Sequence, residues 1–114
     1  MEIGYCRVST DQQSTDLQLD ALKKRGCGRI FLETASGAQR DRPVLKEAMA
    51  FAREGDVLVV WSLSRLGRGL LQLLETIEHL EQAGIGFKSL KEDIDTTTPS
   101  GRLIFHVFGA LAEF

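Results

Sequence analysis

The chain alternates between short apolar runs and longer segments with helical periodicity. Residues 56–61 consist of one aspartate followed by five apolar residues. Such a continuous apolar run is typical of a strand covered on both faces of a parallel sheet. Residues 2–8, 29–32 and 86–90 are three further runs of strand length. Between and after these runs, apolar residues recur three and four positions apart, which predicts helices.

Glycine and proline mark the ends of the predicted helices. A glycine follows three of the helices, and a proline stands at the first position of two. On the first helix, Leu17, Ala21 and Leu22 form the predicted apolar face. The helices are predicted over residues 16–25, 43–54, 70–83 and 99–114.

Four alternations of strand and helix predict one α/β domain over residues 1–114. We expect three α/β/α layers with a mostly parallel sheet of four to five strands. Ligands of such sheets bind beyond the carboxyl ends of the strands. Residues 9–14, 34–42 and 62–69 are polar and follow three of the strands, so they are expected at that edge.

Composition excludes several classes of protein. Hydrophobic residues make up 43% and charged residues 26% of the chain, and no apolar run approaches the ~20 residues of a membrane span. No secretion signal is evident, so a cytoplasmic location is expected. Cys6 and Cys27 are expected to be free thiols. The net charge of -2 argues against a domain that holds nucleic acid by bulk charge alone.

Several arginines and a serine fall at the predicted carboxyl edge. Arg7 and Ser9 are two apart, so in an extended segment they project to the same side. Arg65 and Arg68 are three apart, which in a helical turn places both on one face. Arg42 directly precedes the proline that begins a helix. Guanidinium groups match phosphate oxygens in geometry and charge, so an anion site is the expected chemistry.

The same segments carry a resemblance to a known family. Residues 4–10, 35–43, 66–68 and 94–113 resemble the catalytic domain of the resolvase/invertase family of serine recombinases, and residues 105–113 are especially similar to the DNA invertases. The resemblance is collinear along the whole chain. It implies cleavage and religation of double-stranded DNA in site-specific recombination, as inversion or resolution.

The resemblance also implies roles for individual residues. Ser9 would be the nucleophile that forms a 5′-phosphoserine bond, with Arg7, Arg42, Arg65 and Arg68 around the phosphate. No cofactor and no metal are implied. Many relatives carry an aspartate where this chain has Ser64, so the role of that position does not carry over. The implied supporting residues are Gln13, Gln18, Glu33, Ser36 and Asp41.

Partners and further domains follow from the resemblance as expectations. The helix from about residue 99 is the family's dimer and tetramer contact, and its apolar stripe is suited to an oligomer interface. We expect this helix to be truncated and a C-terminal helix-turn-helix DNA-binding domain to be absent from the chain. Accessory DNA-bending proteins are a further implied class of partner. The expected location is the nucleoid of a bacterial cytoplasm, with a bacterial or phage origin.

Two other functions use the same residues differently. A non-enzymatic signalling or nucleotide-binding module would hold a small phosphate through Arg65 and Arg68 without using Ser9. A phosphatase or nuclease would hydrolyse its intermediate instead of religating it. The residues alone leave both alternatives open.

Overall fold

The computed structural model describes residues 1–8, 13–34, 42–63 and 69–112, without the side chains of residues 13–16 and 112. No helix in these ranges is long and apolar enough to cross a membrane. The elements, in chain order, are β1 (Glu2–Val8), α1 (Gln13–Arg25), β2 (Arg29–Thr34), α2 (Pro43–Phe51), β3 (Val57–Val60), α3 (Leu70–Gln82), β4 (Gly86–Ser89), β5 (Ile94–Asp95) and α4 (Pro99–Ala112).

The strands form one sheet in the order β2-β1-β3-β4-β5. β2, β1, β3 and β4 are parallel, and β5 runs antiparallel to β4. The predicted mostly parallel α/β sheet is confirmed. The sequence did not indicate β5, which lies in a segment with the charge and threonine content of a loop.

The two faces of the sheet are covered by different helices. On one face, side chains from β1, β2, β3 and β4 pack with residues of α2, α3 and α4 in the larger core cluster. On the other face, Cys6 of β1 and Val59 of β3 pack against Leu22 of α1 in a smaller cluster. Because successive strand residues point to opposite faces, odd-numbered residues of β1 face α2, and even-numbered residues face α1.

Helix α1 buries a different face from the predicted one. Leu22 is fully buried as expected, but Leu17 is 60% exposed and the neighbouring Gln18 is only 1% exposed. Gln18 and Leu22 are four apart and therefore share the face that meets the sheet. The assignment of Leu17 to the face shared with Leu22 was wrong because an amide that finds a hydrogen-bond partner can occupy a buried position.

Helix α4 begins at a closely packed cap. The Oγ1 of Thr98 accepts a hydrogen bond from the Gly101 backbone N–H at 3.1 Å and donates to the Asp95 carbonyl at 2.8 Å. Thr98 thus caps the helix, and Pro99 stands at its first position, as predicted. A Cβ atom on the buried Gly101 would lie 1.8 Å from the Asp95 carbonyl oxygen. Only glycine fits at this position without moving the backbone.

Most of the large apolar residues of α4 are turned away from the core. Phe105 is buried and packs edge-on against Phe87 and Phe108, with ring centroids 6.0 Å apart in both pairs. The exposed residues lie on a stripe with a spacing of three and four. They are Leu103, Ile104, Val107 and Leu111.

Candidate active site

Three strands end together at the carboxyl edge of the sheet. In the β1–β2 register, Arg7 pairs with Glu33 and Val8 with Thr34. On the other side of β1, Tyr5 pairs with Val60, the last residue of β3. The polar segments that follow these strands therefore leave the sheet at one edge, as the alternation of elements predicted.

Glu33 is a buried carboxylate that accepts hydrogen bonds from three donors. Glu33 is only 2% exposed. The Tyr5 hydroxyl donates to Oε1 at 2.5 Å, the Leu45 backbone N–H donates to Oε1 at 3.3 Å, and the Val44 N–H donates to Oε2 at 3.0 Å. These bonds offset the cost of burying the charge.

The same carboxylate caps helix α2 from the neighbouring strand. Arg42 is the N-cap residue and makes no side-chain capping bond, and Pro43 has no N–H to satisfy. Glu33 accepts the next two backbone N–H groups, those of Val44 and Leu45. A negative charge at a helix N-terminus is also favoured by the helix dipole. Glu33 thus fixes the start of α2, and with it the position of Arg42, which is 5% exposed.

Tyr5 links this cap to β1, the strand beside β2. Burial, together with the hydrogen bond to Glu33 and the charge of that carboxylate, raises the pKa of Tyr5 well above its ordinary value. The charges of Arg42 and Arg7 act on this pKa in the opposite direction. Both arginines are therefore close enough for their charges to act on the phenol. Tyr5, Arg7, Glu33 and Arg42 form one polar cluster, which we call the Glu33 corner.

The Tyr5 pKa gives a direct test of the Glu33 corner. Tyr5 is the single tyrosine of the chain, so the near-ultraviolet absorbance of phenolate reports on it alone. We expect the folded chain to show no phenolate at pH values where an ordinary tyrosine, with a pKa of about 10, has lost its proton. Unfolding the chain in denaturant at the same pH is expected to release the phenolate signal. A normal titration in the folded chain would contradict the buried hydrogen bond.

The shift of this pKa also sets the sign of a pH dependence. The folded state keeps the Tyr5 proton more tightly than the unfolded state does. The contribution of Tyr5 to the free energy of unfolding is therefore complete below about pH 10 and is lost as the pH rises above that value.

Gln18 supports the end of β1 from the other face of the sheet. Its Nε2 donates to the Arg7 carbonyl at 3.3 Å. This bond joins α1 to β1 one residue before the strand ends at Val8. Gln18 therefore helps to hold the backbone from which the segment containing Ser9 begins.

The structure brings four of the predicted site residues to the carboxyl edge: Arg7, Gln18, Glu33 and Arg42. Tyr5 was missed, although it lies two residues before Arg7 and thus on the same side of β1. The remaining candidates lie outside the residues, or for Gln13 the side chains, that the structure describes. They are Ser9, Gln13, Ser36, Asp41, Arg65 and Arg68.

The described side chains contain no group of three histidine, cysteine, aspartate or glutamate residues that could hold a metal ion. Cys6 and Cys27 are free thiols, as predicted. Burial raises the pKa of the Cys6 thiol to about 11, so this thiol stays protonated and unreactive near neutral pH.

The fold and the Glu33 corner define an α/β domain with a buried carboxylate and two arginines, Arg7 and Arg42, at the carboxyl edge of a parallel sheet. The family model described as "Resolvase, N terminal domain" matches residues 2–114. The chain belongs to this family.

Curated relatives and a solved structure agree with the family. The chain is 53% identical over 113 residues to a DNA-invertase of Enterobacteria phage P7, covering 99% of the chain and 61% of the relative. It is 52% identical to the serine recombinase gin of Escherichia phage Mu, covering 99% and 58%. The chain thus spans about three fifths of the length of these relatives.

The N-terminal catalytic domain of TP901-1 integrase has a similar fold. The two chains superpose with a TM-score of 0.85 at 28% identity, and the match covers 100% of this chain and 95% of the other.

Proposed function

We propose that this chain is the catalytic region of a serine site-specific recombinase that cuts and rejoins double-stranded DNA through Ser9. The observation that carries the proposal is the Glu33 corner, where a buried carboxylate opposite Arg7 in the sheet caps the helix that follows Arg42, at the edge where β1 ends before Ser9. Family membership and the names of the relatives, DNA-invertase and serine recombinase, support it.

The proposed reaction consists of two phosphoryl transfers. The Ser9 hydroxyl oxygen forms a bond to phosphorus while the bond from phosphorus to the 3′ oxygen breaks, and that oxygen leaves as a 3′-hydroxyl. In the second transfer, a 3′-hydroxyl of the recombined strand attacks the phosphoserine and regenerates Ser9. The covalent intermediate conserves the phosphoester bond, so the cycle needs neither ATP nor a cofactor.

The described residues support particular roles in this reaction. Arg7 and Arg42 are proposed to bind the phosphoryl oxygens as their charge redistributes in the transition state. Glu33 already accepts three hydrogen bonds, and the raised pKa of Tyr5 keeps its proton in place. Neither residue is suited to remove the Ser9 proton, so we assign them structural roles at the site.

The remaining predicted residues complete the proposed site. Arg65 and Arg68 are proposed to bind the same phosphate. Gln13, Gln18, Ser36 and Asp41 are proposed to support the reacting groups through hydrogen bonds.

We also propose that the active species is a homodimer that assembles into a tetramer on DNA. The exposed apolar stripe of α4 supports this proposal, because large apolar residues in a row are characteristic of an oligomer interface. Sequence recognition is assigned to a separate helix-turn-helix unit, since the net charge of -2 provides little general attraction to DNA. We propose accessory DNA-bending proteins as further partners and the bacterial nucleoid as the location.

A fusion protein tests the proposed function. The chain is joined to the part of the phage Mu relative that lies beyond the match, and the fusion is given a plasmid with two of that relative's recombination sites. We expect rearranged plasmid, and, after denaturation during the reaction, protein attached to 5′ DNA ends. Cleaved plasmid that is never rejoined would instead support the nuclease alternative. DNA binding without cleavage would support the hypothesis of a binding module and refute the proposed recombinase function.

A further inference from the structure

We propose that Tyr5 is a positioning residue: through its hydrogen bond to Glu33 it holds that carboxylate on the N-terminus of α2 and thereby fixes Arg42 at the site. The proposal rests on the proposed function, because it assigns Arg42 a task in the reaction. It adds a residue to which neither the sequence motifs nor the family resemblance gave a role.

The first step is the orientation of the Glu33 carboxylate. The last torsion of a glutamate side chain has a broad energy minimum, so packing alone sets it poorly. The Tyr5 hydroxyl, at 2.5 Å from Oε1, is the single side-chain donor among the three described donors. It sits on β1, the interior strand next to β2, and therefore fixes the carboxylate relative to the sheet.

The second step connects the carboxylate to Arg42. The oriented carboxylate binds the backbone N–H groups of Val44 and Leu45, and the Arg42 carbonyl accepts the first helical bond from Lys46 at 3.1 Å. Arg42 is thus the N-cap residue, directly before the first turn of the helix. A change in the carboxylate moves the first turn of α2 and shifts the Arg42 guanidinium with it.

The third step concerns why position 5 carries a hydroxyl at all. Tyr5 is fully buried and belongs to the larger apolar cluster, where phenylalanine would pack equally well. A buried hydroxyl is costly unless it is hydrogen-bonded, and here its acceptor is the group that caps α2. The placement is explained if the hydroxyl controls that cap.

The activity test compares Tyr5→Phe with the unchanged chain in the fusion protein described above. We expect the rate of covalent adduct formation to fall between about tenfold and a hundredfold, since small misplacements of a positioned group have effects of this size. DNA affinity, measured by gel shift, is expected to stay unchanged. Glu33→Gln is a second variant with the same expected loss, because it keeps the shape and removes the charge.

Thr96→Val is the matched control for a merely structural effect. Thr96 follows β5 and is also buried, and its hydroxyl accepts a hydrogen bond from the backbone N–H of Phe87 on β4 at 2.9 Å, on the other side of β3 from β1. The Thr96→Val variant loses one buried hydroxyl, as the Tyr5→Phe variant does. A loss of rate in Thr96→Val equal to that in Tyr5→Phe would reduce the role of Tyr5 to general stability and overturn the proposal.

A measurement without DNA separates this proposal from the proposed function. The side-chain Nε–H signal of Arg42 is observed by NMR in the 114-residue chain and assigned by its loss in Arg42→Lys. We expect Tyr5→Phe and Glu33→Gln to shift or broaden this signal, and Thr96→Val to leave it in place. An unchanged signal in both site variants would refute the positioning role. If the unchanged fusion forms no adduct, the proposed function fails, while this measurement still decides the role of Tyr5.

Discussion

Replacing Ser9 with alanine is expected to abolish the covalent protein–DNA adduct while leaving DNA binding and folding unchanged. The adduct requires an oxygen that can form a bond to phosphorus, and alanine has none. We expect the yield of adduct to fall by at least about a thousandfold, in line with the loss of other serine nucleophiles. The measurement is the fraction of 5′ DNA ends that carry protein when the fusion reaction is stopped by denaturant.

The nearby Ser14 provides a control in the same polar segment. We assign no chemistry to Ser14, so Ser14→Ala is expected to form the adduct at the rate of the unchanged fusion. Adduct formation by Ser9→Ala at a comparable rate would exclude Ser9 as the nucleophile. DNA cleavage by Ser9→Ala without any adduct would identify water as the attacking group and favour the nuclease alternative.

The second large effect is expected at Gly101, and it concerns stability. An added Cβ would lie 1.8 Å from the Asp95 carbonyl oxygen, which belongs to the backbone and cannot rotate away. Gly101→Ala must therefore displace the first turn of α4 from β5 and disturb the cap formed by Thr98. We expect the free energy of unfolding to fall by about 3 kcal/mol or more. Urea unfolding followed by circular dichroism measures the change.

Gly109 lies on the same helix and provides the matched control. Nothing lies within 4 Å of a Cβ added at Gly109. Alanine is the better helix former, so Gly109→Ala is expected to raise the free energy of unfolding by roughly 0.5–1 kcal/mol. Destabilisation by both substitutions to the same extent would show that loss of glycine itself, and not the contact with Asp95, determines the effect.

The elements that the sequence predicted well are those with a strong local pattern. The continuous apolar run that became β3 predicted a strand covered on both faces, and the parallel sheet followed from its alternation with helices. Pro43 correctly marked the first residue of α2, because its fixed φ and missing N–H suit that position. These signals depend only on neighbours along the chain.

The predictions failed where a distant partner determines the outcome. Gln18, and not Leu17, lies on the buried face of α1, because the Gln18 side-chain amide donates a hydrogen bond to the Arg7 carbonyl. β5 has two residues, too few to display a period of two. Tyr5 and Glu33 are 28 positions apart, and their contact depends on the register between β1 and β2. A single sequence does not specify that register.

The position of β1 in the sheet also has a consequence for biogenesis. β1 is synthesised before β2 and β3, yet it lies between these two strands in the sheet, and β3 ends at Val60. The edge of β1 that pairs with β3 therefore has no partner until the chain has left the ribosome as far as Val60. Parallel pairings of this kind join residues far apart in the chain and form slowly. We expect the nascent chain to expose the apolar residues of β1 for that period, when chaperones or aggregation compete for them.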